Sequence, residues 1–226
     1  NRWATDHFLV DGVCVKELLS REDGIDPAKI TVVHLGVDPA AMRRDAAARA
    51  RVRAEFALAS DAVAIGNVGR LVPFKGQEYL LRAFALVAPA HPRARLVLVG
   101  DGELRDMLGR LAAELGVASS VVFAGFRDDL VAVYSAFDIY CHSSVEGGGE
   151  TFPFAVLQAL SQELPVAVTG VGDVAAMVEE GVNGHVVADR DPGALAAALR
   201  TLLEDPAATA VVRYAAIPAR SRVVDE

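Results

Sequence analysis

From Asp61 onward the chain alternates short apolar runs with longer amphipathic segments, and this alternation restricts the fold more than any other feature. Strands are predicted at residues 62–68, 95–99, 121–124, 139–141, 166–169 and 185–187. Helices are predicted at residues 77–90, 104–115, 130–137, 154–163, 173–180 and 193–203. Short apolar strands separated by helices favour a parallel sheet that is covered on both faces. The sequence therefore predicts a doubly wound, Rossmann-like α/β domain, which binds ligands at the carboxyl ends of its strands.

The first part of the chain has a different pattern. We predict a short strand and turn within residues 3–13, a helix of about ten residues around 16–21, and a buried strand at 30–33. A loop at 36–38 follows, and then an Ala- and Arg-rich helix at 43–56, which we expect to be a solvated connecting helix. Beyond Pro206 the alternating pattern becomes weak.

Composition excludes several classes of protein. The net charge is -8 and the isoelectric point is about 5.2, which argues against nonspecific nucleic-acid binding, because such binding requires a basic face. Cys14 and Cys141 lie far apart and outside any CxxC or Cys/His cluster, which supports neither a zinc site nor a disulfide framework. No apolar run is long enough to span a bilayer, and no leader pattern is present. We therefore expect a cytoplasmic protein.

The richest stretch for function is residues 142–169, which read HSSVEGGGETFPFAVLQALSQELPVAVT. It is predicted to run from a strand through Gly147–Gly149 into a helix with Pro153 in its first turn. The N–H groups and positive dipole at the start of such a helix suit an anion, most often a phosphate. The alternative is an ordinary loop, with Gln158 as a solvated helix residue. One apolar face of the predicted helix is formed by Phe154, Leu157, Leu160 and Leu164.

A second cluster lies after the strand predicted at 62–68, where the sequence is GRLVPFKG. Arg70 and Lys75 both fall in this loop, at the carboxyl edge of the predicted sheet. Two cations at that edge are well placed to meet a diphosphate. Taken singly, each would be read as a surface charge.

These two stretches resemble the donor site of retaining glycosyltransferases of the GT-B fold, in particular glycosyltransferase family 4, the glycosyl transferases group 1. That signature is a Glu, seven residues, a second Glu, and a small-residue helix followed by Pro-Val. Glu150 matches the first acid, Gln158 stands where the second acid is expected, and Pro165-Val166 match the end. Arg70 and Lys75 match the diphosphate-binding loop of the family.

The resemblance implies a division of the chain. Residues 1–40 would be the remnant of an N-terminal acceptor domain with its linker, and residues 41–226 the nucleotide-sugar-binding C-terminal half of a GT-B fold, with a truncated closing helix. The whole enzyme would transfer a sugar from a nucleoside-diphosphate sugar to a hydroxyl of a sugar, lipid-linked or small-molecule acceptor, with retention and without a metal or cofactor. No nucleic-acid partner is expected. The missing domain could make peripheral membrane contact, as in polysaccharide or glycolipid biosynthesis.

The resemblance also implies roles for individual residues. Glu150 would contact the donor sugar, Arg70 and Lys75 the diphosphate, and Gln158 the ribose; the first three are the predicted catalytic residues. The loop at residues 123–129, FAGFRDD, is similar to the loop that holds the base. The predicted donor-binding residues are Gly69, Arg70, Lys75, Gly125, Phe126, His142, Gly149, Glu150, Thr151, Phe152 and Gln158.

This chain departs from the family pattern at three places. Gln158 replaces the second acid, Gly172-Asp173 replaces a paired glycine, and Ala176 replaces a later glutamate. These departures leave open a catalytically lapsed binding module of the same fold. A dinucleotide-dependent oxidoreductase is a third reading, but the full glycine fingerprint is absent. The Asp189-Arg190-Asp191 sequence matches a metal-binding DxD pattern, yet Asp191 before Pro192 is better read as a helix cap.

Overall fold

A computed structural model describes residues 5–38 and 40–205 of the chain. Its main feature is a parallel six-stranded sheet in the order β5-β4-β3-β6-β7-β8. This order is that of a doubly wound Rossmann-like sheet, as predicted. The six strands are β3 (Val63–Val68), β4 (Ala94–Val99), β5 (Val121–Gly125), β6 (Ile139–His142), β7 (Val166–Thr169) and β8 (Gly184–Val187).

Helices cover both faces of this sheet, which explains why its strands are continuous apolar runs. One core cluster packs α3, α4 and α7 against one face, and the other packs α2, α5 and α6 against the opposite face. The helices of these layers are α2 (Ala46–Glu55), α3 (Gln77–Val87), α4 (Arg105–Glu114), α5 (Leu130–Ala136), α6 (Phe154–Ser161) and α7 (Pro192–Glu204).

A separate small sheet precedes this domain. Strands β1 (Phe8–Val10) and β2 (Ile30–Val32) pair in parallel, and α1 (Val13–Glu22) connects them. The strands and the helix lie where the sequence predicts them. Their assignment to the remnant of another domain, with a boundary at residue 40, stays a prediction.

The order of the strands changes direction between β3 and β6, which are neighbours in the sheet. Ligands of doubly wound sheets bind in the crevice outside the carboxyl ends of the strands at this switch point. The β3–α3 loop carries Arg70 and Lys75, and the β6–α6 loop carries Gly147–Gly149 and Glu150. The fold therefore brings both predicted clusters to one edge of the sheet.

Two predicted helices differ from the structure. The helix predicted at 173–180 is wrong, since that segment contains only a single 3-10 turn at Val174–Ala176. The chain turns away after Met177 because Asn183 holds the segment, accepting from the N–H of Glu179 and donating to the carbonyl of Met177. The helix at 43–56 exists as α2, but it is not a solvated connector.

The inner face of α2 is buried against α5. Val52 is fully buried and Arg53 is 7% exposed. Arg53 donates to the carbonyl oxygens of Ala136 and Ala62 and pairs with Asp138 at 3.1 Å. Its guanidinium thereby satisfies main-chain groups that would otherwise be buried without partners.

The ends of the described region also bear on the predictions. Asp191 accepts a hydrogen bond from the N–H of Ala194 and caps α7, with Pro192 in the first turn, as predicted. The predicted truncated closing helix lies outside the described residues. Among the described helices, none combines the length and the apolar character that crossing a bilayer requires.

Candidate active site

The loops after β3 and β6 pack directly on each other. The N–H of Val145 donates to the carbonyl of Phe74 at 2.8 Å, and the hydroxyl of Ser143 donates to the carbonyl of Lys75 at 2.9 Å. Gly76 follows Lys75 with φ of 63°, and a Cβ at that position would lie 2.0 Å from the carbonyl oxygen of Ser143. Only glycine allows this left-handed turn at such close approach. The position of Lys75 against β6 therefore depends on this contact.

Glu150 is the centre of the site, and one oxygen of its carboxylate gathers three partners. Oε2 lies 2.5 Å from Nζ of Lys75, accepts from the hydroxyl of Ser144 at 2.6 Å, and lies 3.4 Å from Nε2 of His142. That imidazole nitrogen is buried and has no hydrogen-bond partner among residues 5–38 and 40–205. Oε1 of Glu150 accepts no hydrogen bond from the residues that the structure describes. The second oxygen therefore remains available to a ligand hydroxyl.

The electrostatic balance at Glu150 favours the ionised carboxylate. Burial raises the pKa of Glu150, because the charged form is desolvated, but the contacts of His142, Lys75 and Ser144 outweigh it. The pKa is held well below the ordinary value of a glutamate. Glu150 is consequently a hydrogen-bond acceptor at neutral pH and not a general acid.

Arg70 and Lys75 flank the same aromatic ring. The Cζ atom of Arg70 lies 5.5 Å and the Nζ atom of Lys75 lies 5.4 Å from the centroid of Phe74. Phe74 in turn packs against Gly148, where a Cβ would lie 2.0 Å from the Cβ of Phe74. The ring thus positions both cations beside residues 146–149, which we call the glycine loop. Arg70 is exposed, whereas Lys75 is tied to Glu150.

A cavity of about 520 Å³ lies between the glycine loop and α1. From the main domain it is lined by Gly149, Glu150, Thr151 and the segment 170–172. From the N-terminal part it is lined by α1, including Arg21. A volume of this size suits a small ligand, and Glu150 stands in its wall.

Contacts join the N-terminal part both to the loop that carries Glu150 and to the segment that follows β7. The hydroxyl of Thr151 donates to Asp11 at 2.8 Å. Phe152 is only 4% exposed, and its ring is stacked on His34 at a centroid distance of 4.4 Å. The carboxylate of Asp173 accepts from the N–H groups at the start of α1.

Asp173 replaces a capping side chain that α1 lacks. Its N-cap residue is Gly12, which has no side chain, and Asp173 accepts from the N–H groups of Val13 and Cys14 instead. The N–H of Asp173 itself donates to the carbonyl of Thr151 at 2.7 Å. Sequence reasoning noticed Asp173 only as a departure from a glycine pair. Its contact 159 residues away along the chain left no signal in the local pattern.

The structure does not bring every predicted residue to this centre. Gly69 follows β3 and lies beside the side chain of Lys75, and Gly125 ends β5 with φ of 69°. Phe126 is 79% exposed at the far end of the same edge. The ring of Phe152 packs away from the cavity, against His34. Within the described part of the chain, the carboxylate of Glu150 makes its hydrogen bonds and ion pairs with other residues.

Gln158 lies within α6 and is 8% exposed, so the alternative of a solvated helix residue is wrong. Pro153 is the residue before α6, rather than part of its first turn, and Phe154 is 42% exposed instead of lying on the buried face. No group of three or more His, Cys, Asp or Glu side chains within residues 5–38 and 40–205 could hold a metal ion.

Comparison with known proteins identifies relatives of this chain and solved structures that share its fold. A D-inositol 3-phosphate glycosyltransferase of Mycolicibacterium vanbaalenii is 32% identical over 98% of this chain and 52% of its own length. Anabaena Alr3699/HepE in complex with UDP superposes with a TM-score of 0.83 at 25% identity, over 92% of this chain and 56% of that one. The C-terminal domain of LpcC from Francisella tularensis, a glycosyl transferase group 1 family protein, has a TM-score of 0.68 at 21% identity, over 78% of this chain and 92% of that domain.

The chain spans about half the length of the curated relatives it matches. The sequence profile of the family described as glycosyl transferases group 1 matches residues 62–205, which include the entire six-stranded sheet. The chain therefore belongs to the glycosyl transferases group 1 family.

Proposed function

We propose that this chain supplies the sugar-donor half of a retaining glycosyltransferase. It would bind a nucleoside-diphosphate sugar and present the sugar to an acceptor hydroxyl. The observation that supports this most strongly is the convergence of Lys75, Ser144 and His142 on the carboxylate of Glu150 at the switch point of the sheet. A cation and an ionised acceptor in contact are the two groups that a phosphate and a sugar hydroxyl require.

The proposed chemistry assigns different parts of the donor to these residues. Lys75 and Arg70 would neutralise the diphosphate, whose negative charge grows as the bond to the sugar breaks. Glu150 would accept from a hydroxyl of the sugar and fix its orientation. The leaving phosphate would accept the proton of the incoming hydroxyl, so that no nucleophile of the protein is needed. Charge neutralisation by two side chains would make a divalent metal unnecessary.

The nature of the relatives supports the proposed donor. The Anabaena protein has been solved in complex with UDP and with UDP-glucose. The Mycolicibacterium relative is a D-inositol 3-phosphate glycosyltransferase. The free thiols of Cys14 and Cys141 are in keeping with a cytoplasmic location, which we propose together with the activity.

Calorimetry tests the proposal directly. The chain is titrated in turn with UDP, GDP, ADP and NAD, and we expect one nucleoside diphosphate to bind and NAD not to bind. The matching nucleotide sugar should then bind as well. Loss of affinity in Arg70→Met, whose side chain is exposed, with an unchanged melting temperature, would support a diphosphate at this loop. Binding of NAD alone would contradict the proposal.

A catalytically lapsed module of the same fold is the second candidate. It is favoured by the amide of Gln158, buried in α6, and by Ala176, which is exposed in the 3-10 turn. Transfer assays on the whole protein that carries this sequence distinguish the two candidates. Sugar transfer by that protein with its native Gln158 would exclude the lapsed module, whereas donor binding without transfer to any acceptor would support it.

A further inference from the structure

Asp189 and Arg190 bind the main chain at the beginning of the glycine loop. They belong to the sequence that matches a metal-binding DxD pattern, and the proposed function gives them no role. Oδ2 of Asp189 accepts from the main-chain N–H of Glu146 at 2.9 Å. Nη2 of Arg190 donates to the main-chain carbonyl of the same residue at 2.8 Å. Nη1 of Arg190 lies 2.5 Å from Oδ2 of Asp189. The main-chain N–H and carbonyl of Glu146 are therefore bound by two adjacent side chains that also pair with each other.

The backbone of Arg190 is shaped for this contact. Its φ is 54°, in the left-handed region that residues other than glycine seldom adopt. Asp191, the next residue, caps α7 and fixes the direction in which the chain leaves. Arg190 thus has a left-handed backbone between two hydrogen-bonded aspartates, a conformation that tertiary contacts must maintain.

The glycine loop needs such an anchor. Gly147 and Gly149 have φ of 93° and 77°, and a Cβ at either position would meet no atom within 4 Å, so little packing restrains them. Glycines lose more conformational entropy on ordering than other residues. Glu150 follows immediately, which means that its position depends on where the preceding loop begins.

We propose that Asp189 and Arg190 are positioning residues for sugar-donor recognition, acting on Glu150 through the main chain of Glu146. This inference rests on the proposed function. In the structure Lys75 holds Glu150 directly at 2.5 Å. If Lys75 turns to a diphosphate, Ser144 and His142 still contact the carboxylate, and the anchor at Glu146 restrains the main chain that leads to it.

The proposed positioning role predicts that a variant of Arg190 loses affinity for the nucleotide sugar and keeps its affinity for the nucleoside diphosphate. Arg190→Asn removes the guanidinium, while asparagine tolerates the left-handed backbone. We expect the variant to bind the nucleoside diphosphate as the wild type does, because Lys75 and Arg70 are intact. Its affinity for the nucleotide sugar should fall about tenfold, the effect of losing a charge-assisted hydrogen bond. Calorimetry with both ligands and a melting curve for each variant measure the split.

Matched variants separate positioning from general damage. Arg190→Lys, which keeps a cation, should recover part of the loss. Asp191→Ala removes the cap of α7 without touching Glu146, so it should lower the melting temperature and leave the ratio of the two affinities unchanged. A wild type that binds no nucleotide sugar would refute the proposed function itself. A wild type that binds, with Arg190→Asn showing the same ratio of affinities or an equal loss for both ligands, would refute only the positioning role.

Discussion

At the scale of single residues, the site depends on a carboxylate that is kept ionised by its neighbours. Glu150 contacts Lys75, Ser144 and His142 through one oxygen, and the other accepts no hydrogen bond within the described chain. Charge-assisted hydrogen bonds of this kind stabilise the fold as well as the site. The same contacts should therefore be visible in the pH dependence of unfolding.

We expect Glu150→Gln to lower the free energy of unfolding by about 2 kcal/mol at pH 7, because contacts to a charged group are lost. The folded-state pKa of Glu150 lies below the ordinary value of 4.5, so its contribution is present above pH 4.5 and declines as the pH falls below it. Urea unfolding at pH 7 and at pH 3.5 measures the change. Glu146→Gln, in the exposed start of the same loop, is the matched control. A difference between Glu150→Gln and wild type that grows in acid would contradict this account.

Gln158 gives a second prediction at this scale. An amide offers one acceptor oxygen to a ribose diol, where a carboxylate offers two. If the residue contacts the ribose, Gln158→Glu should bind the nucleoside diphosphate about fivefold more tightly, since one hydrogen bond becomes charge-assisted. Calorimetry measures this, with Gln158→Met as the control that should bind more weakly. Equal or weaker binding by the glutamate variant would count against a ribose contact.

At the scale of secondary-structure elements, α1 takes its cap from a distant loop. Asp173 accepts from the N–H groups of Val13 and Cys14 and lies against the loop of Glu150 through its own N–H. Burial, together with the hydrogen bond and the charge of Asp173, raises the pKa of Cys14 to about 12. The thiol therefore reports on the cap.

We expect Asp173→Asn to lower the pKa of Cys14 and to accelerate its reaction with a disulfide reagent at pH 8. The gain is roughly threefold for each unit of pKa, because a tenfold rise in thiolate is partly offset by its weaker nucleophilicity. Hydrogen exchange at the start of α1 should accelerate as well, because a cap contributes about 1 kcal/mol. Cys141 is fully buried and should stay unreactive in the folded protein. Asp191→Ala, which uncaps α7 instead, should leave Cys14 unchanged. An unaltered thiol rate in Asp173→Asn would show that the carboxylate does not control α1.

How well each element could be predicted depends on how far apart in the sequence its interacting residues lie. The strands and most helices were predictable because their apolar spacing is local, and the edge that gathers Arg70, Lys75 and Glu150 follows from the order of a parallel sheet. The apolar residues of segment 173–180 have helical spacing, but the segment forms only a 3-10 turn at Val174–Ala176, since Asn183 binds its main chain. The burial of Arg53, and the contacts of Asp173 and Arg190, join residues far apart in sequence and have no local pattern.

At the scale of the whole molecule, the cavity beside Glu150 has walls from both parts of the chain. Residues of α1 face the glycine loop across a cavity of about 520 Å³, so the N-terminal part helps to enclose the candidate site. The relatives are about twice as long as this chain, as the matched half of their length shows. We infer that acceptor recognition belongs to the part of those relatives that this chain does not match.

The isolated 226-residue chain should consequently bind a nucleotide sugar and transfer little or no sugar. A coupled assay for released nucleoside diphosphate measures this, with the D-inositol 3-phosphate glycosyltransferase of Mycolicibacterium vanbaalenii as the positive control. Robust transfer by the isolated chain would contradict the assignment of the acceptor site to another region.

The adjacency of β3 and β6 has a consequence for how the protein matures. These strands begin 76 residues apart, at Val63 and Ile139, yet their loops share one set of side chains. Pairs so distant in sequence close slowly, because the intervening chain must first be ordered. A partly folded chain lacks the crevice and cannot recognise a nucleotide. Ligand present during synthesis would therefore stabilise only molecules that have completed the central pairing, and would not help those still on the way.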